Sequence, residues 1–387
     1  MDSYLLKHTR TVTETGVLDC DLLVQDGRIA AMAPDIEADA PAWELNRAFV
    51  LPGFIDIHTH GAKGVDVNSA SPEDLVRLAA EYAAFGVTGF LPTVACDSPE
   101  AMKRAVKNIV LASRLKERGA KILGIHLEGP FLSQEFRGSL PDRYLRLPDL
   151  ALFDSYFDAA AGLLRIITLA PELPKSAELI RHAVKMGVKV SMGHSGASYE
   201  QAAEAVGAGV SSTTHTFNGM RLFHQHRPAI MGAALESDVY CEAICDGRHL
   251  HPGAVRLLLK AKGSGRVIAV TDSIMAAGMP DGPYRLGCQD IVVTGGDAQL
   301  ADGSSRAGST LTMIQALHNL LAFTGCTLQQ ASAILSGNPA SLLGIENRKG
   351  RLAPGMDADF LVLDSSLSLT CCVSEGRRLF QTTTGGV

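Results

Sequence analysis

Short apolar runs alternate with longer segments of helical periodicity through most of the chain. Eight of these runs are predicted as strands, at residues 54–57, 87–94, 122–127, 164–169, 188–192, 211–214, 240–245 and 267–271. Apolar strands separated by helical segments are typical of a parallel sheet that is covered by helices. Eight such units predict a (β/α)8 TIM barrel, an α/β fold whose active sites lie at the carboxyl ends of the strands.

Two similar signals mark the beginnings of helices within the barrel segment. The sequence reads Ser71-Pro-Glu-Asp74 before one helical stretch and Ser98-Pro-Glu100 before the next. A serine N-cap, proline at the first helical position and acids in the first turn are typical of helix starts. The sequence therefore predicts helices that begin directly after Ser71 and Ser98.

The two ends of the chain have a different pattern. Short alternating segments at residues 21–25 and 28–32 are separated by the turn residues Asp26-Gly27, and a turn-rich stretch at 350–364 contains the apolar run Phe360-Leu-Val-Leu363. Alternation of this kind is typical of small antiparallel strands. We therefore predict a small β-sandwich-like domain formed by residues 1–50 and 350–387, and a catalytic barrel formed by residues 51–349.

Composition and charge narrow the class of partner. The 387 residues are 46% hydrophobic, and 35 basic against 41 acidic residues give a net charge of −6 without long runs of either sign. Nucleic-acid and membrane partners are not expected, since neither a basic surface nor a long apolar run is present. The expected partner is a small molecule, and the expected location is the cytoplasm. The eight cysteines form no CxxC pair, which favours reduced, mostly buried thiols.

Side chains that can bind a metal follow six of the predicted strands. They are His58 and His60 after strand one, Glu128 after strand three, His194 after strand five, His215 after strand six, His249 after strand seven and Asp272 after strand eight. Since side chains two apart in a strand point the same way, His58 and His60 can bind one ion together. Imidazole and carboxylate are usual ligands of catalytic zinc and also suit iron or manganese. The pattern predicts a metal site at the barrel mouth.

Each of these residues also has an ordinary structural interpretation. A single strand histidine is more often a hydrogen-bonded core residue than a ligand, and Glu128 alone would be a salt-bridge partner. Asp272 can act as general base and then as general acid, whereas the alternative is an N-cap aspartate. Their position at the same end of separate strands favours a catalytic site. His126 lies inside strand three and is predicted to be structural.

Several longer motifs contain these residues. They read Leu51-Pro-Gly-Phe-Ile-Asp-Ile-His-Thr-His60, His126-Leu-Glu-Gly-Pro130, Gly193-His-Ser195, Thr214-His-Thr-Phe-Asn-Gly-Met220, Asp246-Gly-Arg-His249, Val270-Thr-Asp272, Gly308-Ser-Thr-Leu-Thr-Met313 and Gly350-Arg-Leu-Ala-Pro-Gly355. With them the chain resembles, over close to its full length, the N-acetylglucosamine-6-phosphate deacetylase family of the amidohydrolase superfamily. His-x-His alone would indicate only the superfamily.

The resemblance implies a reaction and a set of metal ligands. The reaction is metal-dependent hydrolysis of the acetamido group of N-acetyl-D-glucosamine 6-phosphate, a linear amide, to D-glucosamine 6-phosphate and acetate in amino-sugar catabolism. Glu128, His194 and His215 would hold the principal ion, and His58 and His60 would hold a second ion. Zinc is the expected metal, with iron or manganese as alternatives, at one or two ions per subunit.

Catalytic roles follow from the same resemblance. Asp272 would be the catalytic acid and base, and His249 would hydrogen-bond the substrate and help to stabilise the developing oxyanion. The lysine that bridges two metals in some relatives has no counterpart after strand four, where Leu169-Ala-Pro-Glu172 stands. Glu128 would then bridge the two ions.

Substrate contacts are implied on several loops. Positions that match the family pattern are Asn218, Gly219, Arg306, Ala307 and Gly308. Two stretches depart from it: Ser139-Leu140 stands where the family has a histidine-containing pair, and His226-Arg227 is offset by one residue from the usual phosphate-binding arginine. Basic residues that would compensate are Arg221, His224 and Arg248. The resemblance also implies a homodimer in which the loop with Arg227 reaches the neighbouring site.

Three alternatives stay open. In the first alternative, the substrate is N-acetylgalactosamine 6-phosphate or another N-acyl amino sugar. This alternative stays open because recognition of one hydroxyl's orientation depends on contacts that the sequence does not specify. A protein of another class would be a non-catalytic, amidohydrolase-like binding protein, which the retained ligand set argues against. A third alternative is an amidohydrolase that acts on a cyclic amide or deaminates a base, which the Glu128 motif and Asn218-Gly219 disfavour.

Overall fold

The computed structural model describes residues 3–115 and 119–382. In these ranges the strands are β1 (Tyr4–Thr13), β2 (Gly16–Gln25), β3 (Arg28–Ala33), β4 (Ala42–Glu44), β5 (Phe49–Pro52), β6 (Phe54–Thr59), β7 (Gly61–Ala62), β8 (Val65–Asp66), β9 (Val87–Ala95), β10 (Lys121–Ile122), β11 (Ile125–Glu128), β12 (Leu164–Leu169), β13 (Lys189–Met192), β14 (Val210–Thr213), β15 (Tyr240–Ile244), β16 (Val267–Val270), β17 (Gly282–Leu286), β18 (Gln289–Thr294), β19 (Asp297–Leu300), β20 (Phe360–Leu363), β21 (Leu369–Ser374) and β22 (Arg377–Gln381).

The helices lie mostly between the strands of the middle segment. They are α1 (Pro72–Ala83), α2 (Pro99–Ala112), α3 (Leu150–Ala159), α4 (Ser176–Lys185), α5 (Tyr199–Ala208), α6 (Ala229–Glu236), α7 (Pro252–Lys262), α8 (Met313–Thr324), α9 (Leu328–Ser332) and α10 (Asn338–Leu343). A 3₁₀ turn occupies Asp142–Tyr144, and a π-helical turn occupies Ala333–Gly337. Within the described ranges, no helix has the length and apolar character needed to cross a membrane.

Parallel strands form a nearly closed barrel. Their order is β10-β9-β11-β12-β13-β14-β15-β16, and β6 pairs with β9. At the seam between the last and first strands, the Asp272 N–H donates to the His58 carbonyl over 2.8 Å, and Thr59 forms a parallel bridge with Ser273. All eight predicted strands are present, so the predicted fold class is confirmed.

The third predicted strand is interrupted. The sequence predicts one strand at residues 122–127, whereas the structure has β10 and β11 with a break at Leu123 and Gly124. Before the break the chain pairs with β9 alone, and after it the chain pairs with both β9 and β12. The interruption therefore occurs where the strand gains its second neighbour, which apolar periodicity does not reveal.

The predicted helix starts are confirmed at α1 and α2. Ser71 accepts a hydrogen bond from the Asp74 N–H, and the Asp74 carboxylate accepts one from the Ser71 N–H, which completes a capping box. Ser98 accepts a hydrogen bond from the Ala101 N–H at the start of α2. Both helices bury one apolar face, so the caps fix where each helix begins against the barrel.

The two chain ends share one sheet. Its order is β22-β21-β20-β5-β1-β2-β3, with β4 paired to β1. The sheet packs a separate apolar cluster that includes Tyr4, Leu6, Val50, Phe360 and Val373. Parts of the predicted β domain, residues 1–2 and 383–387, lie outside the described residues. The contribution of both termini to one β module agrees with the predicted fold class.

A third sheet stands beside the barrel mouth and was not predicted. It consists of β17, β18 and β19, which follow the eighth barrel strand. Leu286, Ile291 and Val293 of this sheet pack with Leu132 and Leu140 from the loop after β11. The insertion therefore builds one wall of the space above the carboxyl ends of the strands.

Candidate metal centre and substrate cavity

The side chains predicted to bind metal converge at the barrel mouth. Glu128 Oε1 lies 3.1 Å from His194 Nε2 and 3.2 Å from His215 Nε2. Glu128 Oε2 lies 3.2 Å from His60 Nε2, which in turn lies 3.2 Å from Asp272 Oδ1. All of these residues are buried, and so is His58, whose Nε2 lies 3.4 Å from Glu128 Oε1. Glu128 Oε1 thus faces His58, His194 and His215, whereas Oε2 faces His60.

The orientation of each histidine ring is fixed from behind. Each Nδ1 faces an oxygen acceptor: His58 faces Glu242 Oε2 at 2.9 Å, His60 faces the Thr93 carbonyl at 3.0 Å, His194 faces the Phe136 carbonyl at 3.0 Å, and His215 faces the Asn218 carbonyl at 3.2 Å. In a neutral ring, an Nδ1 that donates to such an oxygen leaves the Nε2 lone pair directed at the centre. This is the usual arrangement for histidines that bind a metal through Nε2.

The donor set fits a divalent cation on two observations. His58 Nε2 is buried and has no hydrogen-bond partner among the described residues. His194 Nε2 and His215 Nε2 lie 3.0 Å apart, although both rings use Nδ1 as their donor. Two lone pairs at this separation repel each other unless a proton or a cation lies between them. Together with carboxylates, such nitrogens are suitable ligands for zinc, iron or manganese.

Electrostatics hold the two carboxylates in the ionised form. Burial alone would raise the pKa of Glu128, but its close contacts with the imidazoles of His194, His215, His58 and His60 hold that pKa well below its usual value. Burial also opposes ionisation of Asp272, yet the charges of His58 and His60 and a hydrogen bond from His60 lower its pKa to about 2. Both carboxylates are therefore negative at neutral pH and available to a cation or a proton.

Three of the converging residues adopt left-handed backbone conformations. His194, His215 and Asp272 have φ values of +46°, +30° and +48°. Such values are uncommon for residues other than glycine and cost free energy, so they persist only where the surrounding structure enforces them. Each of the three follows its strand by two residues, where a sharp turn directs the side chain inward over the barrel mouth.

A cavity of about 240 Å³ opens above the centre. Its lining includes most of the predicted substrate residues, namely Ser139, Leu140, Asn218, Gly219, His249, Arg306 and Gly308, together with His60, Glu128, His194, His215 and Asp272. His249 Nδ1 lies 2.7 Å from Asp246 Oδ2, which anchors the ring and leaves Nε2 as its other polar atom. The cavity therefore combines the candidate metal ligands with polar side chains on the surrounding loops.

Three predicted substrate residues do not line this cavity. Ala307 is fully buried behind it. His226 and Arg227 lie on an exposed loop between β14 and α6, and neither appears in the cavity lining. Arg306 lines the cavity, but its guanidinium pairs with Asp297 at 2.9 Å. The loop that carries His226 and Arg227 thus directs these basic side chains to the outside of its own subunit.

His126 and two buried acids complete the region beneath the centre. His126 Nδ1 lies 3.0 Å from the Ile57 carbonyl and Nε2 lies 2.8 Å from Thr168 Oγ1, which agrees with the structural role predicted for it. Burial and the charge of His58 hold the His126 pKa well below its usual value. Glu242 and Asp56 were missed by the sequence reasoning. Both are acids inside apolar strands, and that pattern alone was a usable signal.

Comparisons with known proteins agree with this geometry. A family model described as the amidohydrolase family matches residues 49–383. An N-acetylglucosamine-6-phosphate deacetylase from Bacillus subtilis (strain 168) is 36% identical over 387 residues, with 98% of each chain covered. An N-acetylgalactosamine-6-phosphate deacetylase from Escherichia coli O157:H7 is 35% identical, with 94% of this chain and 96% of that protein covered.

A solved structure gives the same picture. It is a mutant N-acetyl-D-glucosamine-6-phosphate deacetylase from Mycobacterium smegmatis in complex with N-acetyl-D-glucosamine-6-phosphate. The TM-score is 0.93 and the sequence identity is 33%, with 98% of this chain and 100% of that chain covered. Likeness at this level extends across the barrel and the terminal sheet alike.

Proposed function

The chain belongs to the amidohydrolase family, and from this premise we propose that it deacetylates N-acetyl-D-glucosamine 6-phosphate to D-glucosamine 6-phosphate and acetate. The observation that carries the proposal is the convergence of Glu128, four histidine Nε2 atoms and Asp272 at the floor of one cavity. Relatives that cover nearly the whole chain are named as deacetylases of this sugar phosphate.

Two adjacent sets of ligands support a metal centre. Glu128, His194 and His215 form one set, and His58, His60 and Asp272 form the other. A divalent cation bound there would supply Lewis acidity that polarises the acetyl carbonyl and makes water a stronger acid. We propose zinc as the resident metal, with iron or manganese as alternatives, at one or two ions per subunit. Glu128 is suited to bridge two ions because its oxygens face different histidines.

Asp272 is proposed to move the proton. Its ionised carboxylate would accept a proton from the water that attacks the acetyl carbon, and would then donate that proton to the amine nitrogen as the C–N bond breaks. The products are then acetate and the free amine. His249, anchored by Asp246, would hydrogen-bond the substrate near the reacting carbonyl and help to stabilise the oxyanion.

The remaining cavity residues are proposed to bind the sugar and its phosphate. Ser139, Asn218 and Arg306 supply polar groups around the cavity, Leu140 supplies an apolar surface, and Gly219 and Gly308 allow the substrate to approach closely. Ala307 would support this wall from behind.

The exposed loop is proposed to act on a second subunit. Leu222 and Phe223 expose 81% and 57% of their surfaces, beside the exposed residues His226 and Arg227. Adjacent exposed apolar side chains of this kind favour an interface. We therefore propose a homodimer in which His226 and Arg227 contribute to the partner's cavity. The unpaired state of all eight cysteines supports a reducing compartment, and we propose the cytoplasm.

N-acetylgalactosamine 6-phosphate is the second candidate substrate. The observation in its favour is the Escherichia coli relative named for that substrate, which is 35% identical over 367 residues. The two sugars differ in the orientation of one hydroxyl, so the chemistry at Asp272 is the same for both.

The test is a kinetic screen with metal-quantified protein. Acetate release is measured with both N-acetyl hexosamine 6-phosphates and with their unphosphorylated forms as matched controls. We expect the glucosamine compound to have the highest kcat/KM and the phosphate to be required. Turnover of another N-acyl compound without turnover of either sugar phosphate would refute it. Protein that neither contains metal nor gains activity on reconstitution would instead indicate a binding protein.

A further inference from the structure

A buried carboxylate of strand β15 lies directly beneath the proposed metal centre. Glu242 has no exposed surface. Its Oε2 accepts hydrogen bonds from His58 Nδ1 over 2.9 Å and from the His215 backbone N–H over 2.9 Å. One carboxylate oxygen thus contacts the ring of one proposed ligand, on the first barrel strand, and the backbone of another, directly after the sixth barrel strand.

The contact to His58 differs from those of the other three histidines. His60, His194 and His215 each direct Nδ1 at a neutral backbone carbonyl. His58 alone among these four directs Nδ1 at a carboxylate. Hydrogen bonds to an ionised acceptor are about twice as strong as neutral ones, and they increase the electron density at the opposite ring nitrogen. His58 Nε2 is therefore the most strongly polarised donor of the set.

The described surroundings of Glu242 satisfy only one of its two carboxylate oxygens. Among the described residues its ion-pair partner is His58, and its Oε1 is buried without any hydrogen-bond partner. His126 lies in the same group, but both of its ring nitrogens are already bonded to Ile57 and Thr168. A buried carboxylate without a full set of partners is costly. A cation on the far side of His58 would offset this cost.

We propose that Glu242 is a positioning residue that makes His58 a competent ligand and thereby creates the second ion position of the metal centre. It acts through His58 and does not touch the substrate cavity, whose lining does not include it. The His215 contact also braces a backbone with φ of +30°. The inference rests on the proposed metal-dependent function and adds a reason why the His58 and His60 pair binds metal.

Two variants separate the charge of Glu242 from its hydrogen bonds. Glu242→Gln keeps an acceptor oxygen for both bonds and removes the charge, whereas Glu242→Met removes the bonds and the charge at similar volume. Loss of such a supporting group typically weakens metal binding about 10- to 100-fold. We expect the affinity for the second ion to fall about 10-fold in Glu242→Gln and about 100-fold in Glu242→Met. In Glu242→Gln, which keeps an acceptor for the His215 N–H, the ion held by Glu128, His194 and His215 should stay bound.

The experiment measures ions per chain by elemental analysis after dialysis against graded chelator concentrations. The visible absorption of cobalt(II)-loaded protein reports the coordination of each position. Asp359→Asn is the matched control, since Asp359 is a buried carboxylate directly before β20 that pairs with Lys349. The control should lower stability and leave both metal affinities unchanged. In a His58→Asn background, Glu242→Gln should cause no further loss of metal.

The outcomes distinguish this inference from the proposed function. Wild-type protein that binds no metal at all would refute the proposed function. Wild-type protein that saturates at one ion per chain, or Glu242 variants that keep the wild-type affinity for both ions, would overturn the role of Glu242 alone. Loss of the second ion in the Asp359→Asn control, or an additional loss in the His58→Asn background, would also overturn it. If Glu242→Met does not fold, the nearly isosteric Glu242→Gln variant decides.

Discussion

Replacement of Asp272 by asparagine should abolish most of the catalytic rate while leaving the fold intact. The side chain keeps its size, and the backbone hydrogen bonds from the Asp272 N–H to His58 and from the Ser309 N–H to Asp272 are unaffected by the change. What is lost is the negative charge and the ability to accept a proton. The variant therefore tests the proton-transfer role separately from the architecture.

The magnitude follows from the surroundings of Asp272. Positioned acid–base groups contribute about 10²- to 10⁴-fold to a rate. The other carboxylate in the cavity lining, Glu128, is already engaged by four histidines, so the described lining offers no substitute carboxylate. We therefore expect kcat to fall towards the upper end of this range. At about 1.4 kcal/mol per factor of ten, a 10⁴-fold loss corresponds to about 5 kcal/mol of transition-state stabilisation.

The assay is steady-state acetate release with metal content measured on the same sample. Because the group of Glu128, His194 and His215 does not include Asp272, at least one ion should remain bound to the variant. An unchanged kcat at full metal content would refute the reasoning. So would recovery of the wild-type rate on adding excess metal, because Asp272 would then act only as a ligand.

Three further predictions concern the site and the stability of the fold. Gly219→Ala should reduce metal affinity and activity, since Gly219 has φ of +59° and an added Cβ would lie 3.1 Å from His194 Nδ1 and from the Phe136 carbonyl oxygen. The control is Gly207→Ala in helix α5, where an added Cβ meets open space. This control should stabilise the protein by about 1 kcal/mol in thermal unfolding. Lys349→Met should lower the free energy of unfolding by about 3–5 kcal/mol in denaturant titrations, because Lys349 Nζ is the buried cation shared by Asp357, at 3.0 Å, and Asp359, at 2.6 Å. The control Lys260→Met changes an exposed lysine and should have little effect. Equal Cm values for the two variants would contradict this prediction. Metal-free protein should lose stability as pH rises from about 6.5 to 9. Burial lowers the pKa of His60, but hydrogen bonds with Asp272 and Glu128 raise it to about 9, so the folded state holds this proton more tightly than the unfolded state and loses that advantage above the folded pKa. A Tm of the chelated protein that is flat across this pH range would contradict this prediction.

The barrel was predictable because its strands are nearly continuous apolar runs. Burial on both faces of a parallel strand leaves few polar positions, so the eight runs stand out, and the residues that follow them mark the barrel mouth. The β17–β19 insertion was missed because only part of one face is buried against the loop after β11. Its role as a cavity wall depends on the packing of Leu286 near Leu140, which are far apart in sequence.

The residues proposed to bind metal were predictable by their position after strands, whereas their supporting contacts were not. The Phe136 and Thr93 carbonyls that orient His194 and His60 are backbone atoms, which carry no residue-specific signal. Glu242 carried a signal as an acid within an apolar strand. Its partner, however, depends on the relative register of β6 and β15 across the barrel, which the sequence of one strand does not specify. The loop with Arg227 was predicted to bind phosphate, and that role stays a prediction.

Metal-dependent release of acetate from N-acetyl-D-glucosamine 6-phosphate is the most direct test of the central claim. The protein is assayed as purified with its metal quantified, after chelation, and after reconstitution with zinc, iron or manganese. We predict that activity disappears on chelation, returns with one or more of these ions, and follows the number of ions bound per chain. Activity that persists in fully metal-free protein, or its absence from the fully loaded protein, would contradict the account.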